Sequence, residues 1–82
     1  MSTNPHQLLD DEIVRAILLN AMPTCRATIV RRIERLQSFQ GQVLVSRGSV
    51  GAAVARRLAA LAKDGRVSHV QIGTQVYWRA AA

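Results

Sequence analysis

A change of hydrophobic period near Gly65 constrains the fold of this chain more than any other feature of its sequence. Before that glycine, four apolar residues recur at helical spacing and form one stripe, namely Val50, Val54, Leu58 and Leu61. The hydroxyl of Ser49 can cap the first turn, and Lys63 places a cation in the last turn, where the helix dipole favours it. Gly65 can adopt the left-handed conformation that ends a helix. The sequence therefore predicts a capped helix between Ser49 and Gly65.

The residues that follow this helix alternate with a period of two, which is typical of β-strands. Val70 and Ile72 share one face of a first strand, and Val76 and Trp78 share a face of a second. Between the strands, Gly73-Thr74 fits a two-residue turn with glycine at the first central position. The end of the chain is therefore predicted to form a short hairpin.

A first helix is predicted at about 11–21, with Asp10 or Asp11 as its N-cap and acidic side chains near its positive end. It carries two stripes, one of Leu9, Ile13, Ile17 and Asn20, the other of Val14, Leu18 and Ala21. A helix that is apolar nearly all round is buried on several sides. Either it is the central helix of the fold, or Val14 and Leu18 contact a second subunit in a homodimer.

Pro23 ends the first helix, and Thr24 is the expected cap of a second one at about 25–37. The apolar stripe of this second helix consists of Cys25, Ile29, Ile33 and Leu36. Its solvent side carries Arg31 and Arg35. Cys25 is expected to be a small buried hydrophobe.

The connection over 38–48 is longer than the roughly three or four residues that join the helices of a simple helix-turn-helix. Its apolar residues 43–45 predict a short strand that pairs with the edge of the hairpin. Alternatively, the second helix breaks near Leu36 and the connection itself contacts nucleic acid.

A helix that ends in Leu58-x-x-Leu61-x-x-Asp64-Gly65-x-Val67 and runs at once into a hairpin resembles the last helix and wing of winged helix-turn-helix proteins. The resemblance covers about residues 8–79, with 1–7 as a lead-in and 80–82 as a tail. It implies an α+β, mainly α fold of three helices with a C-terminal β-hairpin wing. These domains mostly bind double-stranded DNA, with the third helix in the major groove. Their small strand usually lies between the first and second helices, so a strand at 43–45 would be a departure.

The charge of the chain favours a polyanionic partner. Eleven basic and five acidic residues give a formal net charge of +6, and from residue 13 onward only two acidic residues remain. Ten of the basic residues are arginine, which pairs bidentately with phosphate and with guanine. Codon bias explains the choice of arginine over lysine, but it does not explain the missing acidic residues. A segment of this kind neutralises phosphates and releases counterions.

The face of the third helix opposite its apolar stripe is the expected DNA-reading surface. Small side chains let the backbone approach the bases, and Arg56 suits a base edge. The reading candidates are Ser49, Ala52, Ala53 and Arg56. The candidates for backbone contact are Arg31, Arg35, Arg47, Arg57 and Lys63, with Thr74 and Gln75 at the tip of the wing.

Two other interpretations of these residues compete with DNA reading. The same strip of alanines could pack against another protein, which would make the domain an adaptor or inhibitor that does not bind DNA. Trp78 alternates with Val76, so its packing against the first helix is favoured over stacking on a base.

The sequence offers little for catalysis or metal binding. His6, His69 and Cys25 lack the spacing of a zinc site, and the acidic residues cluster at one helix start. We therefore expect no enzyme activity, no cofactor and no small-molecule ligand. With one cysteine, no signal pattern and no apolar run of about 18 residues, the expected place is the cytoplasm, or the nucleoid if the chain binds DNA. The expected function is that of a small sequence-specific transcriptional regulator.

Overall fold

A computed structural model describes residues 6–20 and 22–80 of the chain. In chain order, the elements are α1 (Gln7–Leu18), β1 (Thr24–Cys25), α2 (Arg26–Gln40), α3 (Val50–Lys63), β2 (Val67–Ile72) and β3 (Gln75–Ala80). The predicted fold class, mainly α with a C-terminal antiparallel hairpin, is confirmed. The element order is consistent with a winged-helix-like topology.

α3 forms between the two local signals that predict it. The Ser49 hydroxyl accepts a hydrogen bond from the amide of Ala52 at 3.1 Å, as an N-cap does. At the other end Gly65 has a φ of 80°, and the amide of Arg66 donates to the carbonyl of Leu61 at 2.9 Å. This left-handed turn satisfies carbonyls that the helix itself leaves unpaired.

The hairpin also forms where the sequence predicts it. Gly73 has a φ of 66° at the first central position of the turn, and Ile72 pairs with Gln75 across it. β1 adds to the free side of β3, so the sheet has the order β1-β3-β2. Trp78 pairs with His69, and their ring centroids lie 5.4 Å apart.

The core lies between the three helices and one face of the sheet. It contains Leu9, Ile13, Ala16, Ile17, Ile29, Ile33, Ala53, Val54, Leu58, Leu61 and Val67. α1 packs on both other helices and on β3, as expected of a central helix. Trp78 is half-buried against this core, which agrees with packing against α1.

The ends of the predicted first helix are wrong. α1 begins at Gln7 with His6 as its N-cap, about one turn earlier than expected. Neither Asp10 nor Asp11 caps it, because both lie within the helix, where Asp10 is 1% exposed. α1 ends at Leu18, and Ala21 lies outside the described residues.

The described elements reach slightly beyond the predicted domain range 8–79. Residues 1–5 of the predicted lead-in and residues 81–82 of the predicted tail also lie outside the described residues. Gln7 belongs to α1 and Ala80 to β3, so the ordered elements take up one residue more than expected at each end.

The predicted strand at 43–45 is wrong, and the small strand lies at Thr24–Cys25 instead. In the connection, the amides of Leu44 and Val45 donate to the side-chain oxygen of Gln37, at 3.0 and 2.6 Å. That side chain satisfies amides that a strand partner would otherwise bind, and β1 already occupies the free edge of β3.

The predicted start of the second helix is also corrected. Cys25 is the N-cap of α2 and makes no capping bond through its side chain. The Thr24 hydroxyl instead accepts a hydrogen bond from the amide nitrogen of the Asn20 side chain at 3.0 Å. α2 continues to Gln40, and Gly41 follows it with a φ of 67°.

Candidate nucleic-acid interface

One strip of α3 is open to solvent along the whole helix. Ala52, Arg56, Ala59 and Lys63 follow one another at helical spacing and are all exposed, with Ser49 exposed just before them. The connection from α2 to α3 leaves this strip uncovered, because its half-buried residues Leu44 and Val45 pack against the core instead. The surface that a polyanion would need is therefore accessible in the single chain.

A groove of about 390 Å³ runs beside this strip, between α3 and the hairpin. Its lining consists of Arg26, Ala55, Leu58, Ala59, Thr74, Gln75, Val76 and Trp78. The fold brings the predicted wing-tip residues Thr74 and Gln75 next to Ala59 of the open strip. The hairpin and α3 thus form one continuous surface.

Arg26 also lines this groove, although it is not among the predicted contact residues. It is exposed and begins α2, directly after the two-residue strand β1. The pairing of β1 with β3 brings the start of α2 to the hairpin. The available signal was the position of Arg26 on α2, about 60° to one side of the buried residue Ile29 at 100° per residue.

The acidic residues at the start of α1 neutralise a particular set of arginines. Asp10 pairs with Arg57 at 2.8 Å, Glu12 with Arg32 at 3.4 Å and Arg15 at 3.7 Å, and Asp11 with Arg66 at 3.7 Å. The remaining basic side chains have no carboxylate of the described residues within 4.0 Å: Arg26, Arg31, Arg35, Arg47, Arg56, Lys63 and Arg79. Much of the positive charge near the α3 strip is therefore uncompensated.

Two predicted site residues do not lie on the open strip, because Arg57 is partly buried and Ala53 is buried. Arg57 donates from Nε and Nη2 to the two carboxylate oxygens of Asp10, both at 2.8 Å, so it does not point outward as a phosphate anchor would. These hydrogen bonds raise the pKa of Arg57, although partial burial opposes the rise. Ala53 is 6% exposed and lies in the core rather than on the reading face. The ion pair with Asp10 of α1 holds Arg57 away from the strip, and packing within the core covers Ala53.

The other predicted residues divide between two surfaces. Arg47 is exposed in the connection, near the start of α3. Arg31 and Arg35 line a separate groove between α1 and α2, so they lie away from the α3 strip. Phosphate contact by Arg31 and Arg35 therefore stays a prediction, and it would involve a surface other than the α3 strip.

Cys25 is half-buried rather than a buried hydrophobe. The pKa of the Cys25 thiol is lowered, mainly by its hydrogen bond with the hydroxyl of Thr28. The Oγ atom of Thr28 lies 3.3 Å from the sulfur. Backbone amides at the start of α2 lower the pKa further, whereas burial opposes them. This thiol lies at the first turn of α2 and takes no part in the α3 strip.

Within residues 6–20 and 22–80, no group of three or more His, Cys, Asp or Glu side chains is placed to hold a metal ion. No helix in that part of the chain is both long enough and apolar enough to cross a membrane. Comparison of the chain with protein-family models, curated proteins and solved structures finds no match of any of the three kinds. The function of the open surface is therefore inferred from its geometry and charge.

Proposed function

We propose that this domain binds double-stranded DNA and acts as a small sequence-specific transcriptional regulator. α3 enters the major groove, and the hairpin of β2 and β3 contacts the flanking backbone. The observation that carries the proposal is the open strip of α3, which adjoins a groove containing Arg26 and the wing tip. This surface combines small side chains, uncompensated cations and two elements that can follow a duplex.

The strip suits base reading because of the size of its side chains. Ala52 and Ala59 let the helix backbone approach the base edges, and their methyl groups can contact thymine. Arg56 is the long cationic side chain between them, with the planar fork that pairs with O6 and N7 of guanine. Ala52 and Arg56 are thus the reading residues in this proposal.

The cations around the strip suit the two phosphate backbones. Arg26 lies on the wing side, Arg47 precedes α3, and Lys63 ends the strip. The amides at the start of α3 add the positive end of the helix dipole. Thr74 and Gln75 can donate hydrogen bonds to the backbone beyond the major groove.

Arg56→Ala should reduce discrimination between the preferred duplex and a random one by about 1–3 kcal/mol, because it removes the arginine that lies between the two alanines of the strip and can pair with a base edge. The preferred duplex is first selected from random oligonucleotides, and the affinities are then measured by fluorescence anisotropy. Arg15→Ala is the matched control, since Arg15 is exposed on α1 and away from the strip. Unchanged discrimination in Arg56→Ala would rule out a reading role for Arg56.

Arg26→Ala should lower the slope of log affinity against log salt by about one unit, because one phosphate contact fewer releases one counterion fewer. Its effect should be similar for preferred and random duplexes. Arg35→Ala is the control on the same helix, since Arg35 lines the other groove and should leave the slope unchanged. If Arg35→Ala lowers the slope and Arg26→Ala does not, the duplex lies on the wrong side of α2 for this proposal.

A homodimer through Val14 and Leu18 remains part of the proposal. Leu18 is 66% exposed and Val14 is half-buried, so the contact would rest mainly on Leu18. Sedimentation equilibrium over a range of concentrations, with Leu18→Ser for comparison, tests it directly.

The second candidate function is a protein-interaction module that does not bind DNA. It is favoured by large apolar side chains left exposed on the helices, after α1 and in the connection, including Leu8, Leu19, Met22, Phe39 and Val43. Salt distinguishes the two candidates. Duplex binding should weaken steeply between low and moderate salt, whereas capture of a protein through apolar contacts should not.

A further inference from the structure

The groove between α1 and α2 combines apolar and cationic side chains in one concavity. It has a volume of about 590 Å³. Its lining consists of Ala16, Leu19, Asn20, Thr28, Arg31, Arg32, Arg35, Leu36, Phe39 and Gln40. None of these residues belongs to the α3 strip or to the groove beside the hairpin.

Two large apolar side chains of this groove are open to solvent. Leu19 is 67% exposed and Phe39 is 84% exposed, one from each wall. Together with half-buried Leu36, they form an apolar surface that folding leaves uncovered. Exposed apolar side chains that surround a concavity and are rimmed by charge are typical of a binding site for another protein.

Two of the three arginines that line the groove have no carboxylate partner among the described residues. Arg31 and Arg35 have no carboxylate of the described residues within 4.0 Å. Arg32 contacts Glu12 at 3.4 Å through Nη2, but its Nε is buried and has no hydrogen-bond partner in the described part of the chain. Arg31 and Arg35 are exposed, so they are the two arginines of the groove whose guanidinium groups a ligand can reach.

We infer that this groove binds a short acidic amphipathic helix of a protein partner. Its apolar side chains pack on Leu19, Leu36 and Phe39, in the way a helix lies in a hydrophobic groove. Its carboxylates pair with Arg31 and Arg35, as charge-assisted hydrogen bonds that arginine can make in bidentate form.

A nucleic acid fits this groove less well than such a helix does. Phosphates would pair with Arg31 and Arg35 but would leave Leu19 and Phe39 in water. The arginines also lie on a different side of α2 from Arg26, which lines the groove beside the hairpin. A duplex on the α3 strip and an acidic helix in this groove can therefore be bound at the same time.

The probe is a synthetic peptide of Leu, Glu and Ala about 15 residues long, enough to form a helix, with leucines along one face and glutamates beside them. Its binding to the full chain, labelled with ¹⁵N, is followed by amide chemical shifts. The expected shifts are confined to the facing sides of α1 and α2. A matched peptide with glutamine in place of glutamate should bind at least about tenfold more weakly.

The variants assign the binding to named side chains. Arg31→Ala/Arg35→Ala and Phe39→Ser should each weaken the Glu peptide by about tenfold or more, and since these residues are exposed the fold should survive, as circular dichroism can verify. Arg56→Ala is the control and should leave peptide affinity unchanged. Equal binding of the Glu and Gln peptides, or shifts centred on α3 and the hairpin, would overturn the proposal.

Three further outcomes would also contradict the proposal that this groove binds an acidic helix. The first is no binding of the Glu peptide at millimolar concentration. The second is displacement of the peptide by duplex DNA, which would make the groove a nucleic-acid surface. The third is a loss of self-association in Arg31→Ala/Arg35→Ala by sedimentation, which would show that a second copy of this chain occupies the groove.

Discussion

Asp10→Ala is expected to destabilise the domain by about 3–5 kcal/mol, since it leaves the charge of Arg57 partly buried without its counterion. Asp10 is 1% exposed and accepts two hydrogen bonds of 2.8 Å from a guanidinium that is 21% exposed. The free energy of unfolding is measured by urea titration followed by circular dichroism.

Asp11→Ala is the matched control, because Asp11 is exposed and its pair with Arg66 is 3.7 Å long. It should cost about 0–1 kcal/mol, as exposed ion pairs do. Replacing both partners, in Asp10→Leu/Arg57→Met, should recover much of the loss because no charge is then left buried. A single Asp10→Ala variant as stable as the wild type would show that water reaches Arg57 and that the pair does not hold α1 to α3.

The pH dependence of the Arg57 contribution follows from the direction of its pKa shift. Its pKa is raised in the folded state by the hydrogen bonds to Asp10. A raised pKa contributes stability that is fully present below the unfolded value and is lost only as the pH rises through the folded value. The contribution of Arg57 should therefore be constant across neutral pH.

Leu58→Ala is expected to destabilise the domain by about 2–5 kcal/mol, as truncation of a fully buried leucine does. Leu58 is completely buried in the core, and it also lines the groove between α3 and the hairpin. The cavity would lie directly beneath the proposed DNA-binding surface. For a domain of ordinary stability, about 5–15 kcal/mol, this is a large fraction of the total.

Two control variants test whether the loss of stability comes from the buried cavity and not from removing a leucine as such. Leu58→Met keeps most of the volume and should cost less than about 1.5 kcal/mol. Leu19→Ala removes an exposed leucine and should change stability by no more than about 0.5 kcal/mol. An unfolding midpoint of Leu58→Ala equal to that of the wild type would mean that α3 is not anchored through Leu58.

These two interactions hold α3 in the orientation that leaves its strip open. Arg57 and Leu58 face α1 and the core, whereas the adjacent Arg56 lies about 100° away around the helix and faces solvent. Neighbouring arginines of one helix thus have different partners. One is bound by a carboxylate of the same chain, and the other is free for a duplex.

The elements that could be predicted are those whose signals are local. The cap at Ser49, the left-handed turn at Gly65 and the hairpin glycine Gly73 each act through hydrogen bonds or backbone angles within a few residues. The helical and strand periods on either side of Gly65 are equally local, so α3 and the hairpin could be predicted.

The details of the surface depend on contacts between distant parts of the chain. β1 has two residues and exists because Thr24 pairs with Trp78, far along the chain. Likewise, the ion pair with Asp10 holds Arg57 away from the α3 strip. The pairing of β1 with β3 brings Arg26 to the groove beside that strip. No local pattern contains this information, because the partner that neutralises or positions a side chain comes from a distant part of the chain and is known only once the helices have packed.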